Sequence, residues 1–184
     1  MTQPTTEILR TQISLAEADG GVDIADLCHA IAVNRGFYDG NGDKLYWSYR
    51  HIAHIMGEVV EFQEALDDFV TKDAAVAEEL ADCAILLLDL AGLHEYGFRL
   101  ADLKASPYSS RYDDNEGWLI AAAIGKLANQ LYKTGTVERN TLKDALSVVA
   151  QLGSYYSGDH FAAAVLSKCR RNLSRPHKYG LKEE

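Results

Sequence analysis

Two acidic pairs carry the most chemical information in the chain: Glu58 with Glu61, and Glu79 with Asp82. Residues three apart on a helix share a face, so each pair aims two carboxylates in one direction. Four such groups in a partly buried cleft repel one another, which raises their proton affinity or demands countercharge. Divalent cations are the natural countercharge. An all-oxygen donor set favours Mg²⁺, with Mn²⁺ as a substitute, over metals that prefer sulfur or imidazole. Taken singly, either pair matches any solvated acidic helix. The combination says more, because Glu58 borders an apolar stripe while Glu79 and Asp82 introduce a nearly all-apolar segment, where surface charge is least expected. A di-metal carboxylate bundle of the di-iron kind is an alternative, but it needs Glu-x-x-His on two helices. His51 and His54 precede Glu58 and are not so placed, and they read as helix-surface or hydrogen-bonded residues.

The elements that must position these groups are helices. Proline stands only at positions 4, 107 and 176, and the long stretches between show helical rather than alternating periodicity. Helices are expected at about 22–36, 45–70, 73–96, 115–134, 138–157 and 159–172. The helix from 45 lines Ile52, Ile55, Met56, Val59, Phe62, Leu66 and Phe69 along one stripe. A short link at Thr71-Lys72-Asp73 makes it and the next helix an antiparallel hairpin. That next helix is apolar around most of its circumference from Cys83 to Leu93, so it should be central. Asp89, inside this run, is expected to be capped or paired, since burying it alone is costly.

The hairpin has a second copy. Ile55-Met56-Gly57-Glu58-Val59-Val60-Glu61 aligns with Ala123-Ile124-Gly125-Lys126-Leu127-Ala128-Asn129, and Leu90-Ala91-Gly92-Leu93 with Gln151-Leu152-Gly153-Ser154. In that register Glu58 and Glu61 become Lys126 and Asn129, while Glu79 and Asp82 become Asn140 and Lys143. One acidic site per chain and a degenerate second unit follow. The expected architecture is an all-α helical bundle of two related units, residues 1–112 catalytic and 113–184 degenerate, in one compact domain.

Composition bounds the function. The chain of 184 residues has 47% hydrophobic and 24% charged residues, as globular domains do. Its formal net charge of −9 argues against binding nucleic acid polymers. No apolar run approaches bilayer length, and no signal-peptide pattern opens the chain. Three cysteines without CxxC spacing indicate neither a disulfide framework nor a zinc site, so a cytoplasmic location is expected. Basic residues gather between Lys168 and Lys182, an arrangement suited to holding a small polyanion beside its cations.

At this point the chain resembles the all-α NTP pyrophosphatases, which include MazG-like enzymes, dimeric dUTPases and phosphoribosyl-ATP pyrophosphatases. Their pattern, E-x-x-E, a spacer, then E-x-x-D, reads here Glu58-Val59-Val60-Glu61 and Glu79-Leu80-Ala81-Asp82. Asn34-Arg35-Gly36-Phe37-Tyr38-Asp39 resembles the K-G-F-W-type segment of small MazG-like proteins. Lys168-x-x-x-Asn172-x-x-Arg175-Pro176, with Gly180 beyond, resembles their K-x-x-x-N-x-x-R-P tail. The chain departs from the pattern at Met56, where many relatives carry His, and in placing the tail after the second unit.

The resemblance implies Mg²⁺-dependent hydrolysis of a nucleoside triphosphate to monophosphate and pyrophosphate, for pool cleansing or monophosphate supply, by a protein expected to be a homodimer. Glu58, Glu61, Glu79 and Asp82 would hold metal, and Glu61 or Glu78 would take the proton. Lys168, Asn172 and Arg175 would hold phosphate oxygens. Phe37, Tyr38 and Trp47, with Tyr49 beside them, are candidates to stack on the base, a role that packing would fill equally well. A non-catalytic helical nucleotide-binding module is the remaining reading.

Overall fold

The computed structural model describes residues 4–19, 21–67, 72–103 and 116–175. Among them the protein is all-α: seven α-helices, two short 3₁₀ turns and one isolated backbone bridge between Asp23 and Arg99. The helices are α1 (Thr6–Asp19), α2 (Ile24–Asn34), α3 (Lys44–Asp67), α4 (Lys72–Leu93), α5 (Glu116–Thr134), α6 (Arg139–Ser157) and α7 (Phe161–Ser174). The six expected helices are all present. α1 was not expected, because its buried stripe is only Leu9, Ile13 and Ala16, too narrow to stand out in the sequence. None of the described helices is long and apolar enough to cross a membrane.

α4 is the axis of the molecule. Leu80, Ala81, Cys83, Ala84, Leu87, Leu88, Leu90 and Ala91 are all without solvent exposure, so the helix is enclosed nearly all round. It packs on α2, α3, α6 and α7, and one apolar cluster runs through all of these contacts. α3 and α4 are joined through residues 68–71 and pack along their length, as an antiparallel hairpin must; the expected link at 71–73 falls partly outside the described residues. The boundary expected at 112/113 and the tail beyond Arg175, including Pro176 and Gly180, also lie outside them.

α5 and α6 form the second hairpin. α5 lies on α3 and α6 on α4, so the helices that the sequence alignment pairs pack against each other. Gly57 and Gly125, matched in the alignment, both sit where an added Cβ would meet nothing within 4 Å. Lys126, Asn129, Asn140 and Lys143 are all solvent-exposed.

Helix ends place the residues near the site. The Asp23 carboxylate accepts from the backbone N–H groups of Ala25 and Asp26 and so starts α2. At its other end Gly36 has φ 75°, with Gly36 N–H donating to Val33 and Phe37 N–H donating to Ala32. This is the left-handed helix stop that glycine makes without a Cβ clash. It turns the chain so that Phe37 folds back into the interior, where it is 6% exposed.

Candidate active site

One cavity of about 360 Å³ opens between α2, α3, α4 and α7. Its acidic wall is Glu58 and Glu61 from α3 with Glu79 and Asp82 from α4, and its basic wall is Lys168, Asn172 and Arg175 at the end of α7. The groups expected to hold metal and phosphate therefore face one space. Carboxylate oxygens of Glu58, Glu61 and Glu79 lie within 4.8 Å of one another. Asp82 stands beside them but is engaged by the Lys168 ammonium, which also approaches Glu78 at 4.0 Å.

Electrostatics in the cavity follow from crowding. Burial, then the charges of Asp82, Glu61 and Glu79, push the Glu58 carboxyl up to about 7. Burial also raises Glu79, with Lys168 opposing and Asp82 and Glu61 adding to the rise. A half-buried group of carboxylates that resists losing its last proton is the environment a hard cation relieves. The three donors that converge are carboxylate oxygens with no sulfur or imidazole among them, a set that suits a hard divalent cation.

Glu78 is placed differently from its neighbours. It is half exposed, absent from the cavity lining, and accepts from Arg171 at 3.1 Å. Of the two residues expected to take a proton, Glu61 lines the cavity and Glu78 does not. The aromatic expectation also divides. Phe37 lines the cavity, whereas Tyr38 and Trp47 do not. Trp47 is 5% exposed, donates its indole N–H to the Gly42 carbonyl, and borders a separate depression with Tyr46 and Arg50. Tyr38 is consumed by packing and hydrogen bonding below the cavity floor. Tyr49 is solvent-exposed on α3 and is not among the lining residues.

That floor is a buried polar network centred on Asp89, two helical turns beyond Asp82 on α4. Asp89 is 2% exposed and lies 2.8 Å from His29 Nδ1 and 2.8 Å from His51 Nε2, and it accepts from the Tyr38 hydroxyl at 2.7 Å. His51 Nδ1 faces the Trp47 carbonyl at 2.8 Å, and a carbonyl only accepts. Nε2 meets Asp89 on the other side of the ring, with the Tyr38 hydroxyl 3.1 Å from the same nitrogen. Burial favours the neutral acid, but the hydrogen bonds from His29, His51 and Tyr38 outweigh it and hold Asp89 below its ordinary range. Asp89 is thus the paired residue its position demanded, and His51 is its partner. His54, one turn along α3, lines the cavity edge-on to Phe37, with burial lowering its proton affinity.

The sequence reading missed one cation. Arg35, at the C-terminal cap of α2, lines the same cavity. It lies inside the Asn34–Asp39 segment, where its position just before the helix-stop glycine was the available signal.

Comparison with known proteins found no match: no family model, no curated protein and no solved structure.

Proposed function

We propose that the protein is a nucleoside triphosphate pyrophosphohydrolase, hydrolysing an NTP or dNTP with Mg²⁺ to the monophosphate and pyrophosphate. The observation that supports it is a single cavity lined on one side by Glu58, Glu61, Glu79 and Asp82 and on the other by Lys168, Asn172 and Arg175. The resemblance to the all-α NTP pyrophosphatases rests on the same residues.

In this reading Glu58, Glu61 and Glu79 hold the metal, joined by Asp82 once Lys168 turns to the nucleotide. The metal supplies charge neutralisation and a polarised water. Glu61, the most exposed of the three clustered carboxylates, accepts the proton of the attacking water. Lys168 and Arg175 bind phosphate oxygens and Asn172 adds a neutral donor. Water adds between the α- and β-phosphates, the bridging oxygen leaves with pyrophosphate, and the monophosphate remains. Phe37, with the apolar side chains of Ile31, Ile85 and Leu86, provides the face for the base.

The test is a panel of NTPs and dNTPs assayed for pyrophosphate with Mg²⁺ and after exhaustive EDTA treatment. Release that depends on Mg²⁺ or Mn²⁺ is expected. Folded protein that releases no pyrophosphate from any nucleotide, or turnover undiminished by EDTA, overturns the reading.

A further inference from the structure

The cations of the cavity are not equivalent. Lys168 lies among the carboxylates: it pairs with Asp82, and its charge is felt at Glu58 and Glu79. Arg35 belongs to a different part of the wall. Cys28, Ile31, Ala32 and Arg35 recur at helical spacing along one face of α2, so this wall is apolar for two turns and then ends in a guanidinium. The charged group that bears on Arg35 is Arg175, a like charge, and burial with that repulsion lowers its proton affinity. Its Nη2 is buried without a hydrogen-bond partner among the described residues.

A buried guanidinium nitrogen with no acceptor is costly, and native proteins rarely leave one without a reason. Arg35 is such a group, and the lysine of the same cavity is already engaged by a carboxylate. Phosphate oxygens match the planar donor fork of arginine better than any single carboxylate of the opposite wall can.

We infer that Arg35, together with Arg175, grips the terminal phosphate of the polyphosphate chain, the part that leaves as pyrophosphate. The inference rests on the pyrophosphohydrolase reading for its substrate, but it concerns a residue that reading does not use. The Asn34–Asp39 segment then has two products. Its glycine stop sets Phe37 at the base end, and the residue before it reaches the phosphate end. Arg35 thereby selects triphosphates over monophosphates by charge and by donor geometry.

The probe is inorganic tripolyphosphate, which carries the anion without any base. Its binding to the full chain is measured by calorimetry in Mg²⁺, for wild type, Arg35→Met, Arg35→Lys and Lys126→Met. Arg35→Met is expected to weaken binding at least about tenfold, as loss of one charge-assisted contact should. Arg35→Lys should fall between, keeping charge but not the fork, and Lys126→Met should match wild type. In turnover, Arg35→Met should raise KM and weaken pyrophosphate inhibition while leaving monophosphate inhibition within about twofold. Should Arg35→Met fail to fold, Arg35→Lys carries the test by the same comparison. Failure of wild type to bind tripolyphosphate, or folded Arg35 variants with wild-type affinity and KM, overturns the clamp. If nucleotides are hydrolysed but those variants are unchanged, the clamp alone falls. If tripolyphosphate binding depends on Arg35 yet no nucleotide yields pyrophosphate, the clamp stands and the pyrophosphohydrolase reading falls.

Discussion

The α3/α4 and α5/α6 hairpins share a layout and differ in where their polar residues go. In α5/α6 the helices are plainly amphipathic: Ile120, Ile124, Leu127, Leu131, Leu142, Leu146 and Val149 are buried, and Lys126, Asn129, Asn140 and Lys143 face water. At these four positions the polar groups are solvated. In α3/α4 the same register carries carboxylates at the seam between buried and open surface, where Glu58 is pushed up to about 7 by burial and by its neighbours. One hairpin leaves the polar residues of this register in water and pairs its one buried carboxylate, Glu116, with the Tyr156 hydroxyl. The other keeps its carboxylates crowded, an arrangement that serves stability poorly and suits a cation.

Substitutions sharpen this contrast, starting with the largest effect. Changing Glu58, Glu61, Glu79 or Asp82 to Ala should cut pyrophosphate release by about a hundredfold or more, the scale of losing a preorganised electrostatic contact. Lys126, Asn129, Asn140 and Lys143 changed to Ala should stay within about twofold, since all four are exposed. Equal losses from both sets in steady-state assays would erase the distinction between the hairpins.

A smaller effect is expected on stability alone. Asp89→Asn removes the charge from the buried acceptor that His51, His29 and Tyr38 share, and a hydrogen bond to a charged group is worth about 1.5–3 kcal/mol. The melting temperature should drop by roughly 3–12 °C, at about 2–4 °C per kcal/mol for a chain of this size. A melting temperature within a degree of wild type would show that the network does not hold α4 to α2 and α3.

The smallest effect is a pH dependence confined to the first hairpin. The folded state holds the Glu58 proton up to about 7, above the ordinary 4.5. The stabilisation from that proton is complete below the ordinary value and is lost as pH rises through 7. In EDTA, wild type should therefore lose a few degrees of melting temperature between pH 5 and 8, and Glu58→Gln should flatten that slope. Mn²⁺ affinity should rise across the same window, because binding requires the carboxylate. A wild-type slope identical to that of Glu58→Gln would remove the assigned cause.

The six helices from 24 onward were legible because each has a broad buried face, and the acidic quartet was legible because two E-x-x-[ED] pairs bracket a short link. Lys168, Asn172 and Arg175 could be read as a unit from their resemblance to the K-x-x-x-N-x-x-R-P tail, and the fold brings them to the carboxylates. What the sequence concealed was the direction of side chains off that pattern. Glu78 and Glu79 are adjacent in sequence, yet one is turned outward to Arg171 and the other inward. Phe37 and Tyr38 part in the same way, one to the cavity and one to Asp89. Arg35 escaped notice because a lone arginine at a helix end is common; only the unpartnered Nη2 in a shared cavity distinguishes it.

The two walls of the cavity also differ in when the chain can build them. The acidic wall is local: α3 and α4 are consecutive helices, and their closure waits on nothing downstream. The Lys168–Asp82 contact spans 86 positions, so the basic wall is completed only when the last described helix docks. Non-local contacts of this kind form late, because the entropy of closing the long loop precedes their reward. The acidic pairs can therefore come together before the cationic wall that faces them. The same docking event brings α7 against α1, fastened by Arg170 to Glu17, so the cavity is completed in the step that packs the last described helix on the first.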